Sequence, residues 1–286
     1  MRPKKSLGQN FLISPRIVDG IVTAAEIKDG ETILEIGPGK GVLTEALLRA
    51  GANVIAVEKD EQLVSLLKEK FAKEISEKKL QLISSDILEV ENKEIEKYTS
   101  KKYKLVANIP YYITGAILEK FLESDCPPIS AVLMVQKEVA KRILAHDKKE
   151  SILSISVKIF GTPSIALNVS RGNFFPIPNV DSTVLVIKDI KNPFVSVKEK
   201  DTFFKIVKTG FAHKRKKLIS NFPKENIERM KKIFQEMSVS ENIRAEDFTL
   251  GQWFTLSKKT IGMIRSTRLE NQQTREARQE LLEKDH

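Results

Sequence analysis

TILEIGPGKGVLTEALLRA (residues 32–50) places a strand, a glycine turn and a helix in immediate succession. TILEI (32–36) is short, apolar and β-branched, the composition of a buried strand. Glycines at 37, 39 and 41 follow, and VLTEALLRA (42–50) spaces its apolar residues three and four apart, the period of a helix. The pattern then repeats downstream. NVIAV (53–57), LQLIS (80–84), YKLVAN (103–108) and ISAVLMVQ (129–136) read as strands. Residues 60–75, 114–124 and 137–147 read as helices, and another precedes the first strand at 17–27. Strands alternating with helices predict an α/β, Rossmann-like, doubly wound parallel sheet.

The alternation ends after residue 150. SILSISVKIF (151–160) is ambiguous between strand and helix. IALNVS (165–170) and TVLVIKDI (183–190) read as two strands joined by a loop, so an antiparallel hairpin is expected to finish the sheet. Beyond Lys191 the segments carry helical spacing only. The expected domains are therefore 1–191, with 1–16 as an N-terminal segment, a small all-helical domain over 192–264, and a charged tail over 265–286.

Composition narrows the function. No apolar run approaches the roughly 20 residues of a membrane span, and the basic N-terminus leads into no signal-peptide core. The chain reads as cytoplasmic, with a monomer as the default. Cys126 is the only cysteine, so no internal disulfide is expected; with three scattered histidines, neither is a metal site. The formal net charge is +10, and residues 191–286 hold +8 of it, with 21 Lys and Arg against 13 Asp and Glu. A nearly neutral body with a basic C-terminal part suits a phosphate-backbone partner.

EIGPGKG (35–41) is the first chemical motif. A dinucleotide-binding turn needs Gly or Ala where this chain has Val42. The G-x-G-x-G spacing at Gly37, Gly39 and Gly41, with Glu35 two residues ahead, suits a ligand without a pyrophosphate, S-adenosylmethionine (SAM). Glu58 ends the second strand, where an acid accepts from ribose hydroxyls, and Asp86 follows the third, placed to accept from the adenine amine. Each acid alone could be a helix cap; three features in order at strand ends favour a cofactor site.

After the fourth strand comes Asn108-Ile109-Pro110-Tyr111. An amine on a nucleobase attacks poorly because its lone pair is delocalised into the ring. The Asn108 side-chain carbonyl and the backbone carbonyl after it can accept its N–H bonds and turn it toward tetrahedral geometry. Tyr111 offers a stacking face, and Pro110 stiffens the turn.

These motifs resemble the ribosomal RNA adenine dimethyltransferases, and most closely the bacterial small-subunit type. The resemblance rests on KSLGQNFL (5–12), EIGPGKGVLT (35–44), Glu58, Asp86, NIPYYIT (108–114), FFPIPNVDS (174–182), FAHKRKKL (211–218) and Arg244-Ala245-Glu246. It covers residues 4 to 262 and implies SAM-dependent N6-dimethylation of two adjacent adenosines near the 3′ end of 16S rRNA, with a part in small-subunit maturation. It further implies that Asn10, Leu12, Gly37, Glu58, Asp86 and Asn108 contact SAM, and that Tyr111 and Phe174 sandwich a flipped adenine. One of Phe174 and Phe175 is expected in the core and the other at the site. Tyr112 departs from the small polar residue of many relatives, and the tail has no counterpart.

FAHKRKKL reads as a helix anchored by Phe211 and Leu218, presenting His213, Lys214, Arg215, Lys216 and Lys217 to RNA, with Lys4 and Lys5 extending the track. Two rivals share many of these motifs: a large-subunit adenine methyltransferase of the macrolide-resistance type, and an assembly or transcription factor that keeps the fold for binding only. An NAD-dependent dehydrogenase is the third, disfavoured by the glycine spacing.

Overall fold

Thr32–Ile36 (β2) is buried along almost its whole length, as expected of a strand covered on both faces. The computed structural model describes residue 4, residues 8–99 and residues 102–261. Lys5 and the tail over 265–286 lie outside them. The chain divides into two compact units. The first runs to His146 and takes in Ser156–Pro193; the second combines Asp147–Ile155 with the chain from Phe194 onward. The segment 147–155 is absent from the helical region expected from the sequence.

In the first unit, Phe11–Leu12 (β1) leads into helix α1, Pro15–Ala25. Pro15 starts α1 where a missing N–H costs nothing, and Glu26 ends it in the left-handed conformation. Beyond β2 come α2 (Val42–Arg49), β3 (Asn53–Glu58), α3 (Glu61–Lys70), α4 (Ala72–Ser76), β4 (Leu80–Ser84), α5 (Asn92–Thr99) and β5 (Lys104–Asn108). Then follow α6 (Thr114–Leu122), β6 (Ser130–Gln136), α7 (Lys137–Leu144), α8 (Ile152–Lys158, of which residues 152–155 belong to the second unit), β7 (Thr162–Val169), β8 (Phe174–Phe175) and β9 (Ser182–Lys188).

The main sheet has the order β4-β3-β2-β5-β6-β9-β7. Its first five strands are parallel, and β9 runs antiparallel between β6 and β7. The expected antiparallel ending is present. Strand order reverses between β2 and β5, and that switch point opens a crevice beyond the carboxyl ends of the strands. Gly37 and Asn108 both sit at this end, because Ile36 pairs with Ala107.

Three details explain local structure. Gly41 caps α2 at φ 75°, and a Cβ there would come within 2.5 Å of the Phe71 ring, so only glycine closes the turn. Lys104 is buried and donates to the Ala25 and Glu26 carbonyls while pairing with Glu31, which satisfies the end of α1 with a cation. The helix expected over 60–75 breaks at Phe71, whose ring is buried.

The second unit contains α9 (Val197–Gly210), α10 (Ile227–Glu236) and a helix described over 250–261. Ser196 caps α9 by accepting from Glu199 N, and the Glu199 carboxylate reaches back to Val195 N. Thr249 and Gln252 make the equivalent reciprocal cap for the last helix. Its core is aromatic: Phe203, Phe234, Phe248 and Trp253 are fully buried. Phe248 meets Trp253 edge-on at 5.0 Å. Among the described residues its only strand pairing is one isolated bridge, Lys217 to Arg244. FAHKRKKL is not helical. Helix α9 stops at Gly210 and residues 211–215 form a turn, because Phe211 folds in against Trp253. Phe211 and Leu218 are buried anchors, while His213, Lys214, Arg215, Lys216 and Lys217 are all exposed between them.

Candidate active site

The crevice at the switch point is a cavity of about 480 Å³ in the first unit. Its floor is the turn after β2. Gly37 and Gly39 hold φ values of 64° and 60°, and Gly37 N donates to Val57 O, folding the turn over the end of β3. A Cβ on Gly37 would meet nothing within 4 Å, so this backbone lies open to a ligand.

Three carboxylates line the cavity. Glu58 accepts from Gly39 N and Asp60 N at 3.1 and 2.9 Å, which fixes its orientation; burial raises its pKa. Asp86 accepts from Leu88 N and from Lys59 Nζ, at 2.9 and 2.6 Å. Burial opposes its charge, but the lysine and the amide outweigh it and hold the carboxyl below its usual range. Asp86 is thus both a turn cap and a cavity residue. Glu35 is 1% exposed, and its Oε2 has no partner. Burial, with the Glu58 charge nearby, pushes its pKa up to about 8.

Two lysines line the same space. Lys59 is paired with Asp86, and Lys40 lies over the Phe11 ring at 5.0 Å. A cavity lined by three acidic side chains, one of them with a buried oxygen that has no partner, fits a ligand rich in hydrogen-bond donors. It opposes the pyrophosphate of a dinucleotide.

The other wall is Asn108-Ile109-Pro110-Tyr111 and the N-terminal segment. Asn108 Nδ2 donates to Asn10 O at 3.1 Å, which leaves Oδ1 free to accept. Tyr111 begins a single 3₁₀ turn, Tyr111–Ile113, and its hydroxyl lies 2.6 Å from Ser182 Oγ on β9. Ten large hydrophobic residues are exposed among the described residues; five of them, Ile13, Val42, Leu88, Tyr112 and Phe175, line this cavity. Such a rim marks a ligand site rather than ordinary surface.

A model of the ribosomal RNA adenine dimethylase family matches residues 1–261. The chain belongs to this family. Two bacterial proteins named ribosomal RNA small subunit methyltransferase A are among its relatives. That of Dehalococcoides mccartyi is 43% identical over 220 residues, 77% of this chain and 74% of its own. That of Alkaliphilus oremlandii is 37% identical over 88% of this chain and 90% of its own. Among solved structures, a dimethyladenosine transferase from Plasmodium falciparum superposes with a TM-score of 0.71 at 26% identity, covering 87% of this chain and 98% of that one. The 23S rRNA methyltransferase ErmE gives 0.70 at 23%, covering 87% and 99%, a likeness of fold. This dimethylase is an rRNA adenine methyltransferase whose cofactor is SAM.

Of the residues expected at the site, the dimethylase brings Asn10, Leu12, Gly37, Gly39, Glu58, Asp86, Asn108, Pro110 and Tyr111 around one cavity. Phe174 requires a correction. It is 1% exposed, packs in the core with Leu12 and Val169, and does not line the cavity. Side chains alternate along β8, so Phe175 faces the cavity instead. Lys4 also differs from expectation: its ammonium lies 2.7 Å from the buried Asp60 carboxylate. Lys59 and Ser182 were missed; the one is a charge beside Glu58, the other the end of the FFPIPNVDS motif. Among the described residues no helix is long and apolar enough to cross a membrane, and no cluster could hold a metal ion.

Proposed function

We propose that this cavity dimethylates N6 of two adjacent adenosines near the 3′ end of small-subunit rRNA, as a step in subunit maturation. SAM would supply a methyl group on a sulfonium. Its holders would be the Gly37 and Gly39 backbone, Glu58 at the ribose, Asp86 at the adenine amine, and Asn10 and Leu12 as a wall. The observation that carries the reading is Asn108. Its amide nitrogen is held by Asn10 O, so its carbonyl oxygen is the atom offered to an incoming amine.

Accepting an N–H from the target nitrogen draws its lone pair out of the ring and directs it. Tyr111, with its hydroxyl tethered to Ser182, and Phe175 offer flat faces to an extruded base. Base stacking of about 1–3 kcal/mol per base offsets much of the cost of extrusion. Neither Asn108 nor Tyr111 is a strong base, so their contribution is orientation. The exposed cations His213, Lys214, Arg215, Lys216 and Lys217 would contact phosphates from the helical unit. Lys5 would serve with them, whereas Lys4 is already engaged by Asp60.

Small-subunit and large-subunit rRNA are the two substrates to distinguish: the relatives at 43% and 37% identity are named for the first, and ErmE, which shares the fold, for 23S rRNA. Purified undermethylated small and large subunits incubated with labelled SAM separate them. Label confined to small-subunit RNA is expected. Label in large-subunit RNA would favour the macrolide-resistance type, and binding without label the assembly factor.

A further inference from the structure

A second recess in the first unit, about 540 Å³ in volume, lies beside the catalytic cavity. It is lined by Ser14, Arg16, Lys137, Ser170, Asn173 and Asp181, with Ile17 and Leu167 among its apolar contacts. The two spaces share a wall. Ile13 lines the cavity and Ser14 the recess; Phe175 lines the cavity and Asn173 the recess. Ile13 N donates to Asn173 O at 2.9 Å, and Phe11 pairs with Phe175. The two spaces are therefore lined by neighbouring residues of the same two chain segments.

Two cations, Arg16 and Lys137, line the recess. No hydrogen bond or ion pair engages the side chain of Arg16 or Lys137 among the described residues. Asp181 is the one acid in the lining, and its Oδ1 accepts from Arg171 N. Two cations without an ion pair, a carboxylate and four neutral polar side chains match a ribose-phosphate. The cations suit the phosphate, and the carboxylate suits a donating 2′-hydroxyl.

We infer that this recess seats the ribose-phosphate of the nucleotide flanking the target adenosine, with Arg16 and Lys137 on its phosphate. An extruded base leaves its neighbours at the mouth of the pocket. A contact there would hold the register of the strand while the base is in the cavity. The inference rests on the reading of the cavity as the methylation site.

The test uses the full chain with Arg16→Gln, Lys137→Gln and the double variant, with Arg16→Lys as a charge-preserving control. Binding to small subunits is followed by co-sedimentation across a salt series, alongside SAM affinity, melting temperature and methyl-transfer KM. The double variant should bind subunits at least tenfold more weakly and raise KM likewise, with SAM affinity and melting unchanged. Each lost cation should flatten the log–log salt slope by about 0.7, the value for a single-strand phosphate contact, and Arg16→Lys should stay near wild type. A folded double variant with wild-type subunit affinity and salt slope overturns the inference, as does a loss of SAM affinity with subunit binding intact. A wild type that transfers no methyl would sink the methylation reading, while the binding arm would still decide the recess.

Discussion

Glu35 is the residue with the most unusual surroundings. It is fully buried between the apolar Ile33, Leu34 and Ile36 of its strand, and keeps its proton to about pH 8. The folded protein therefore binds that proton more tightly than the unfolded chain. Its contribution to stability is full below its ordinary value of 4.5 and declines as pH rises toward 8, by at most about 1.4 kcal/mol per pH unit. Glu35→Gln should flatten the fall in stability over that window, leaving the part due to Glu58, whose pKa is also raised. Urea denaturation of the protein alone at pH 5, 6, 7 and 8 measures it. An unchanged slope would show that Glu35 is ionised throughout. Sequence exposed such residues unevenly. Glu58, Asp86 and Asn108 stand at strand ends, where position gives them away. Phe174 and Phe175 are adjacent on one two-residue strand, and alternation says that they face opposite ways without saying which faces the core. That choice is made by the pairing of Phe174 with Leu12, which is invisible in the local sequence.

At the scale of elements, glycine positions carry the constraint. A Cβ on Gly210 would come within 2.3 Å of the Trp253 ring and 2.7 Å of Leu218. Gly210→Ala should therefore destabilise the helical unit by about 1–3 kcal/mol through overpacking. Chemical denaturation followed by the fluorescence of Trp253, the single tryptophan, reads this directly. Wild-type stability would mean that Trp253 repacks freely. The same contact explains why the basic cluster could not be placed from sequence. HKRKK has helical propensity, but tertiary contact from Phe211 to Trp253 ends the helix one residue earlier and leaves the cations on a turn. The strand–helix alternation was legible because its apolar periods are strong. Helix α5, polar on most of its surface and with Ile95 and Thr99 as its buried residues, gave too weak a period to be read.

At the scale of the molecule, charge is divided as the sequence indicated, with most of the excess beyond residue 191. None of His213, Lys214, Arg215, Lys216 and Lys217 is held in an ion pair among the described residues. Replacing Lys214, Arg215, Lys216 and Lys217 by Gln should weaken subunit binding at every salt concentration. It should flatten the salt slope by about 0.7 to 0.9 for each cation that meets a phosphate. Filter binding from 50 to 300 mM salt measures this, and a slope equal to wild type would remove the turn from the RNA surface.

In the proposed reaction Asn108 presents its carbonyl oxygen to the adenine amine in the cavity over Gly37. The direct measurement is nucleoside mass analysis of rRNA from undermethylated small subunits treated with SAM and either wild type or Asn108→Ala. Wild type should yield N6,N6-dimethyladenosine, and the variant should be slower by about 10²-fold or more, the scale of a misplaced reacting atom. Methyl groups on any other atom, or an Asn108→Ala protein that methylates at the wild-type rate, would contradict it.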